Sequence, residues 1–218
     1  LATDTIQSYG VLNQLAEQLS ELQLIRPVDY GHLTWGLPFG MSVDITPTLV
    51  TRYVKGFANA VCRLWQPRAL YVVDVHGSIV HREAIQEGLR QSDCNHFAFR
   101  WLHDPLVQFA GDRGDQHAGG VETVLVNRFN PALIDSDWWP ARIDQLVAEQ
   151  MDLATALNLS ADVSDFVTHV EEAEDHGTPC NGIVGVIENA DQLDADLLLQ
   201  RMLAVASDDL RSLGATVS

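Results

Sequence analysis

The spacing of apolar residues along the chain predicts helices that alternate with buried strands. Apolar positions recur every three or four residues over 5–24, which predicts an amphipathic helix that Asp4 or Thr5 can cap. A second helix is predicted over 47–65, with a proline in its first turn. Between them, segment 31–46 is rich in glycine and aromatic residues and has no period. It therefore predicts a long loop of the kind that lines binding sites.

The clearest strand covers 69–75, where the residues before Asp74 are continuously apolar instead of alternating. Strands that are buried on both faces of a parallel sheet have this pattern. The strand is followed by His76 and Gly77, and a helix is predicted over 78–90, so that strand, glycine turn and helix form a βα unit. A further strand is predicted over 96–101.

The second half of the chain continues the alternation, without repeats or a linker. Its predicted elements are a polar loop at 111–116, helices at 117–129 and 138–158, an exposed acidic loop at 171–182, a short strand at 183–187 and a last helix at 191–213. Strands alternating with helices indicate an α/β fold, and 218 residues suffice for one domain. Ligands of such folds collect beyond the carboxyl ends of the strands, where His76 lies.

Charge and cysteine content narrow the function classes. The net charge of −17 would repel phosphate backbones and anionic membranes. No apolar run approaches the roughly 18 residues that cross a bilayer. Three widely spaced cysteines without a Cys-x-x-Cys pair indicate neither a zinc ribbon nor a disulfide framework. We therefore expect a cytoplasmic protein that binds neither nucleic acid nor membranes.

Four residues near predicted turns and helix starts could carry chemistry: Asp4, His76, His117 and Glu122. Carboxylate and imidazole groups bind zinc, manganese and iron, and paired ions of this kind activate water for hydrolysis. Each residue also has an ordinary interpretation. Asp4 could simply cap a helix, His76 could be a turn histidine with its hydrogen bonds satisfied, His117 could simply start a helix, and Glu122 could be a solvated helix residue.

Two further residues lie close to His76 in the sequence. Asp74, on a largely apolar strand, could orient a metal ligand, because a buried carboxylate requires a partner. His81, a few residues into the predicted helix, could approach the site, but it is expected on the protein surface. Other catalytic classes have less support, since the chain contains neither a Gly-x-Ser-x-Gly elbow nor a P-loop.

The order of these motifs resembles the creatininase family over nearly the whole chain. Segment 1–5 resembles the family's LPLGTDT segment, and 30–44 resembles its YGxSxEHxxFPGT loop. Residues 73–77 resemble its VNGHGGN turn, 117–123 resemble its HAGxxET motif, and 181–185 resemble its SGVxGDP end. The match to HAGxxET is fairly specific, whereas the other matches are degenerate.

The resemblance implies a three-layer α/β/α sandwich with a mainly parallel central sheet, formed by a single domain over 1–218. It also implies a metal-dependent hydrolase that cleaves a small-molecule or peptide amide C–N bond with metal-activated water. Two divalent ions, Zn, Mn or Fe, would bind to Asp4, His76 and Glu122, with Asp4 shared between them. His117 would be the catalytic histidine that passes a proton to the leaving nitrogen. A homo-oligomer, a hexamer in many family members, is expected.

Several departures from the family pattern keep an alternative open. The family's N-terminal strand and first metal-ligand motif precede the position of Asp4 and are expected to be lacking. Asp74 replaces an asparagine, and Trp35, a possible substrate contact, stands in the loop where the family has its Glu-His pair. The alternative is therefore a catalytically degenerate homologue that serves as a binding or structural subunit. The sequence does not identify the substrate.

Overall fold

The structure is a computed structural model that describes residues 3–26, 28–33, 43, 45–111, 115–134, 143–149 and 183–215. Its helices are α1 (Thr3–Gln18), α2 (Pro47–Trp65), α3 (Ile79–Arg90), α4 (Gly120–Phe129), α5 (Ile143–Glu149) and α6 (Ala195–Ser212). Its strands are β1 (Leu70–Asp74), β2 (Phe97–Trp101), β3 (Asp115–His117) and β4 (Val184–Gly185). Short 3-10 turns at Asp104–Phe109, Pro131–Leu133 and Ala190–Gln192 complete the elements.

The strands form two separate pairs. β1 and β2 are parallel, with Leu70 opposite Phe97 and Asp74 opposite Trp101, as the apolar run before Asp74 predicts. Every residue of both strands is only half-buried, whereas burial on both faces was predicted for β1. β3 and β4 are antiparallel. The described residues therefore have the predicted α/β character, whereas the three-layer sandwich with a mainly parallel sheet stays a prediction.

Several predicted boundaries need correction. The helix predicted over 5–24 is α1, which begins at Thr3 and ends at Gln18, so that Asp4 lies inside its first turn instead of capping it. The polar loop predicted over 111–116 contains the start of β3, and His117 ends that strand instead of starting a helix. α4 begins only at Gly120, because Ala118 adopts a left-handed conformation with φ of 54°.

Four other predictions concern the second half of the chain. The predicted strand over 183–187 is confirmed as the two-residue β4, and the last helix as α6. Of the helix predicted over 138–158, the described part is α5, and the remainder lies outside the described residues. The acidic loop predicted over 171–182 also lies outside them.

The chain divides into two compact units. We call residues 2–32, 45–105 and 199–218 the His76 unit, and residues 1, 33–44 and 106–198 the Glu122 unit. The single domain predicted from the sequence stays a prediction. Among the described helices, none combines the length and apolar character that a membrane span requires.

In the His76 unit, α2 and α3 pack against each other and cover β1 and β2. Their core contains Val50, Ala58, Ala84, Ile85 and Leu89. The Thr51 hydroxyl donates a hydrogen bond across the helix pair to the Ala84 carbonyl, 3.1 Å away. On the sheet, Tyr71 and Arg100 both hydrogen-bond to Asp209 of α6, and these bonds connect the two strands to the last helix.

The close approach of α2 and α3 depends on Gly88. A Cβ atom at Gly88 would lie 2.7 Å from the Thr51 carbonyl oxygen and 2.8 Å from the Cβ of Val54. The Thr51 carbonyl oxygen belongs to the backbone, so it could move aside only if the two helices separated. Gly56, on α2, offers a matched control because a Cβ atom there would meet nothing within 4 Å.

We therefore expect Gly88→Val to lower the free energy of unfolding by about 1–3 kcal/mol, the usual range for overpacking. Gly56→Val should leave it unchanged or raise it slightly, since valine favours helix more than glycine does. Urea unfolding followed by circular dichroism measures both values. Equal stabilities of the two variants would show that α2 and α3 do not pack as described.

The structure contains a disulfide between Cys62 of α2 and Cys94, with the two Cα atoms 6.1 Å apart. The sequence-based expectation that no disulfide is present was therefore wrong. The expectation rested on the absence of a short Cys-x-x-Cys spacing, but these cysteines lie 32 residues apart and meet only because α2 packs beside the segment that leads into β2. The cytoplasmic location was inferred in part from the cysteine pattern and loses that support.

Candidate metal site

The carboxyl end of β1 presents the first candidate residues. β1 ends at Asp74, and His76 follows in the turn before α3. Ser78 caps α3, since its hydroxyl accepts a hydrogen bond from the backbone N–H of His81. Asp74 Oδ1 accepts a second hydrogen bond from the backbone N–H of His76, 3.2 Å away. The turn is therefore held at both ends, which fixes the direction of the His76 side chain.

Asp4 approaches His76 from α1. Its Oδ2 atom lies 3.3 Å from Nδ1 of His76. The His76 side chain is 10% exposed and that of Asp4 is 43% exposed, so the pair lies at the boundary between core and solvent. One helical turn farther, Gln7 Oε1 lies 2.8 Å from Nε2 of the buried His103, and this hydrogen bond keeps the same face of α1 directed inward.

The contact of Nε2, the second ring nitrogen of His76, establishes which of the two nitrogens can bind a ligand. Nε2 lies 3.0 Å from the backbone carbonyl oxygen of His32. Because a carbonyl only accepts, Nε2 carries a hydrogen and donates it. Burial by itself would lower the pKa of His76, but the hydrogen bond and charge of Asp4, together with the charge of Asp74, outweigh burial and raise the pKa to about 9. The exchangeable proton is thus on Nδ1, between the ring and Asp4.

Asp74 is an unusual carboxylate. Its Oδ2 atom is buried and makes no hydrogen bond to any residue within the described ranges. Burial is the main reason that the pKa of Asp74 rises to about 6, against the opposing influence of the His76 charge. The prediction that Asp74 would orient a metal ligand agrees with its bond to the His76 backbone, although its role in binding stays a prediction.

His81 was expected on the surface, and this expectation was wrong. It is 9% exposed, and its ring lies edge-on to His76 with the centroids 5.2 Å apart. Nδ1 accepts a hydrogen bond from the backbone N–H of His32, and Nε2 lies 4.0 Å from Asp74 Oδ2. Burial, followed by the charge of His76, lowers the pKa of His81 to about 4, so this histidine is neutral at pH 7.

The Glu122 unit contains the other two predicted residues. His117 ends β3 opposite Val184, and Glu122 lies in the first turn of α4. Glu122 is buried, which contradicts its interpretation as a solvated helix residue. Its Oε2 atom accepts a hydrogen bond from the Ala118 N–H, 2.7 Å away. Ala118 is left-handed, a conformation that costs a residue other than glycine roughly 1 kcal/mol or more.

The contacts of Gly120 explain why the motif at 117–123 has a glycine at this position. A Cβ atom at Gly120 would lie 2.2 Å from the Asn189 side-chain oxygen and 2.8 Å from the Val186 carbonyl oxygen. The Gly120 N–H donates a hydrogen bond to that carbonyl. The start of α4 is therefore pressed against 186–189, and only glycine fits there. This contact holds the turn that carries His117 and Glu122.

Asp4 and His76 fit a divalent metal ion as neighbouring ligands. Two ligand atoms of a tetrahedral ion with bonds of about 2.0–2.1 Å lie about 3.3 Å apart, which is also the separation of Asp4 Oδ2 and His76 Nδ1. Ligating histidines usually donate their second ring hydrogen to a carbonyl, as His76 does to His32. Within the described ranges, however, no group of three or more His, Cys, Asp or Glu side chains is arranged to hold an ion.

The predicted contribution of Glu122 as a third ligand therefore stays a prediction, as does the proton transfer by His117. Trp35, the proposed substrate contact, lies outside the described residues.

A cavity of about 840 Å³ opens beside the Asp4–His76 pair within the His76 unit. Asp4, Asp74 and His81 line it together with apolar side chains of α1, α2 and β1. Every residue of β1 and none of β2 lines the cavity, so it follows the edge of β1. Its volume is in the range of small-molecule binding sites.

Comparison with known proteins gives one match. A family model described as creatinine amidohydrolase, or creatininase, matches residues 1–208. The chain belongs to the creatininase family. This assignment supports a hydrolase role and agrees with the order of motifs in the sequence. No curated protein and no solved structure matches the chain.

Two members of this candidate site were not predicted from the sequence. His81 and the backbone of His32 complete the surroundings of His76, yet neither belonged to the predicted site. The position of His81 could have been predicted from the sequence, because His81 lies in the first turn of the helix that directly follows the His76 turn. Nothing in the sequence indicates that the His32 carbonyl would meet the His76 ring.

Proposed function

We propose that this chain is a metal-dependent hydrolase of an amide C–N bond in a small molecule or peptide, and that Asp4 and His76 hold the metal ion. The observation that carries the proposal is the 3.3 Å separation of Asp4 Oδ2 and His76 Nδ1, with the opposite ring nitrogen bound to a carbonyl. A divalent ion in this position would supply a Lewis acid and lower the pKa of bound water.

The residues of this chain have separate tasks in the proposal. His76 provides Nδ1 as a ligand atom because Nε2 is occupied by the His32 carbonyl. Asp74 holds the backbone of His76 and, as a buried carboxylate close by, makes the site more attractive to a cation. Glu122 is proposed as a further ligand. His117 is proposed to carry a proton to the leaving nitrogen, the usual role of a histidine in amide cleavage.

The size and lining of the cavity are suited to an organic substrate. It is mostly apolar and has carboxylates and a histidine on its wall, so an amide with an apolar body could place its polar group near Asp4. The three-layer sandwich, the pair of Zn, Mn or Fe ions, the homo-oligomer and the cytoplasmic location stay predictions that accompany this proposal.

Metal analysis tests the proposal. After incubation with Zn²⁺ or Mn²⁺ and gel filtration, elemental analysis should find about one or two ions per chain, and the loaded protein should hydrolyse creatinine or simple peptide amides. A protein that takes up neither metal would contradict the proposal and favour the alternative of a binding or structural subunit. We keep this alternative because, within the described residues, no three His, Cys, Asp or Glu side chains are arranged to hold an ion.

A further inference from the structure

His81 and His32 form a closed set of contacts around His76. His76 Nε2 donates to the His32 carbonyl at 3.0 Å, and the His32 N–H donates to His81 Nδ1 at 3.1 Å. His81 Nε2 faces Asp74 Oδ2 at 4.0 Å, and Asp74 Oδ1 accepts from the His76 N–H at 3.2 Å. We call these three hydrogen bonds and the 4.0 Å contact the His76 circuit, because together they connect the ring of His76 to its own backbone.

The charge state of His81 follows from these contacts. Nδ1 accepts a hydrogen bond, so it carries no hydrogen, and the hydrogen of the neutral ring is on Nε2. Burial of the ring favours this neutral form. His81 is thus an acceptor on the side of His32 and directs its N–H toward Asp74.

Gly31 shows that this arrangement is tightly packed. A Cβ atom at Gly31 would lie 2.4 Å from Cε1 of His81 and 3.0 Å from Nδ1. The backbone before His32 therefore lies directly on the His81 ring. The side chain of His32 adds a second constraint, since its Nδ1 atom lies 3.0 Å from the Ile45 carbonyl oxygen. His81 and Ile45 together hold the His32 peptide in place.

We propose that His81 is a positioning residue: it anchors the His32 peptide so that the His32 carbonyl holds the Nε2 hydrogen of His76, which leaves Nδ1 for the metal ion beside Asp4. The part about the metal ion rests on the proposed function, whereas the anchoring of the His32 peptide by His81 does not depend on it. His81 is not a ligand in this scheme, because its two ring nitrogens are directed at the His32 backbone and at Asp74.

Two variants separate this role from simple packing. His81→Asn places an oxygen about where Nδ1 lies and can still accept from the His32 N–H. His81→Gln fills more of the space but places its amide near the position of Nε2. His96→Gln is the matched control, because His96 is exposed and its side chain has no part in the circuit. Thermal unfolding should show that all three variants are folded.

The first readout uses the metal-free protein. In spectra of ¹⁵N-histidine-labelled protein, the Nε2 hydrogen of His76, assigned from its absence in His76→Ala, should exchange slowly with water. It should remain protected in His81→Asn and His96→Gln and become fast-exchanging in His81→Gln. Continued protection in His81→Gln, or rapid exchange in the native chain, would overturn the proposal.

The second readout is zinc affinity, measured by titration calorimetry. His81→Gln should bind Zn²⁺ about 10–100-fold more weakly than the native chain, the usual cost of losing an outer residue that orients a ligand, and His81→Asn should keep most of the affinity. Equal zinc affinity in all variants would refute the link from His81 to metal binding while leaving the hydrolase proposal intact. A native chain that binds no zinc would refute the hydrolase proposal, and the exchange measurement would still decide the role of His81.

Discussion

His76→Ala is expected to abolish metal binding and amide hydrolysis. The substitution removes the imidazole whose Nδ1 lies beside Asp4 and leaves the Asp4 carboxylate without its buried neighbour. A metal ion contributes several kcal/mol to stabilising a developing oxyanion, so its loss should lower kcat/KM about a thousandfold or more. Zinc titration and hydrolysis of creatinine or peptide amides measure the two effects.

The control for this experiment is His96→Ala. His96 is exposed, and its backbone carbonyl accepts a hydrogen bond from the Leu70 N–H. Its substitution should change neither zinc affinity nor hydrolysis. Circular dichroism should confirm that His76→Ala is folded, since His76 is also buried. A folded His76→Ala protein that still binds zinc and hydrolyses amides as well as the His96→Ala control would remove the basis of the proposed site.

Reduction of the Cys62–Cys94 disulfide should produce the largest loss of stability. A cross-link over 32 residues restricts the unfolded chain, and the chain-entropy relation gives about 4 kcal/mol for a loop of this length. Urea unfolding of the native chain with and without dithiothreitol measures the difference. The double variant Cys62→Ala/Cys94→Ala should be insensitive to dithiothreitol.

A thiol count tests the same bond directly. The chain has three cysteines, so the unfolded, unreduced protein should show one reactive thiol, and the reduced protein should show three. Three reactive thiols before reduction, together with a stability that dithiothreitol does not change, would contradict the bond.

Local patterns were enough to predict much of the His76 unit. The bounds of α2 were predicted to the residue, because Thr46 caps the helix and Pro47 fits its first turn. β1 was found because its residues before Asp74 are continuously apolar, as in strands of a parallel sheet that helices cover. The end of α1 and the start of α4 were not, because the turn at 20–21 and left-handed Ala118 interrupt apolar patterns that continue past them.

The site could be predicted only as separate residues. Asp4 and His76 were identified from motif resemblance, and the structure brings them to 3.3 Å. His81 was assigned to the surface because histidine is polar, although its position in the first turn of α3, directly after the His76 turn, places it near the site. The His32 carbonyl escaped sequence analysis altogether, since a backbone contact across 44 residues depends on the fold and not on residue type. The disulfide was missed for the same reason.

Anomalous X-ray scattering at the zinc edge, recorded from crystals grown with Zn²⁺, tests whether Asp4 and His76 bind one metal ion. We expect a peak about 2 Å from both His76 Nδ1 and Asp4 Oδ2, with Nε2 of His76 still bound to the His32 carbonyl. A strong peak elsewhere, with none between these two atoms, would show that Asp4 and His76 do not form the metal site.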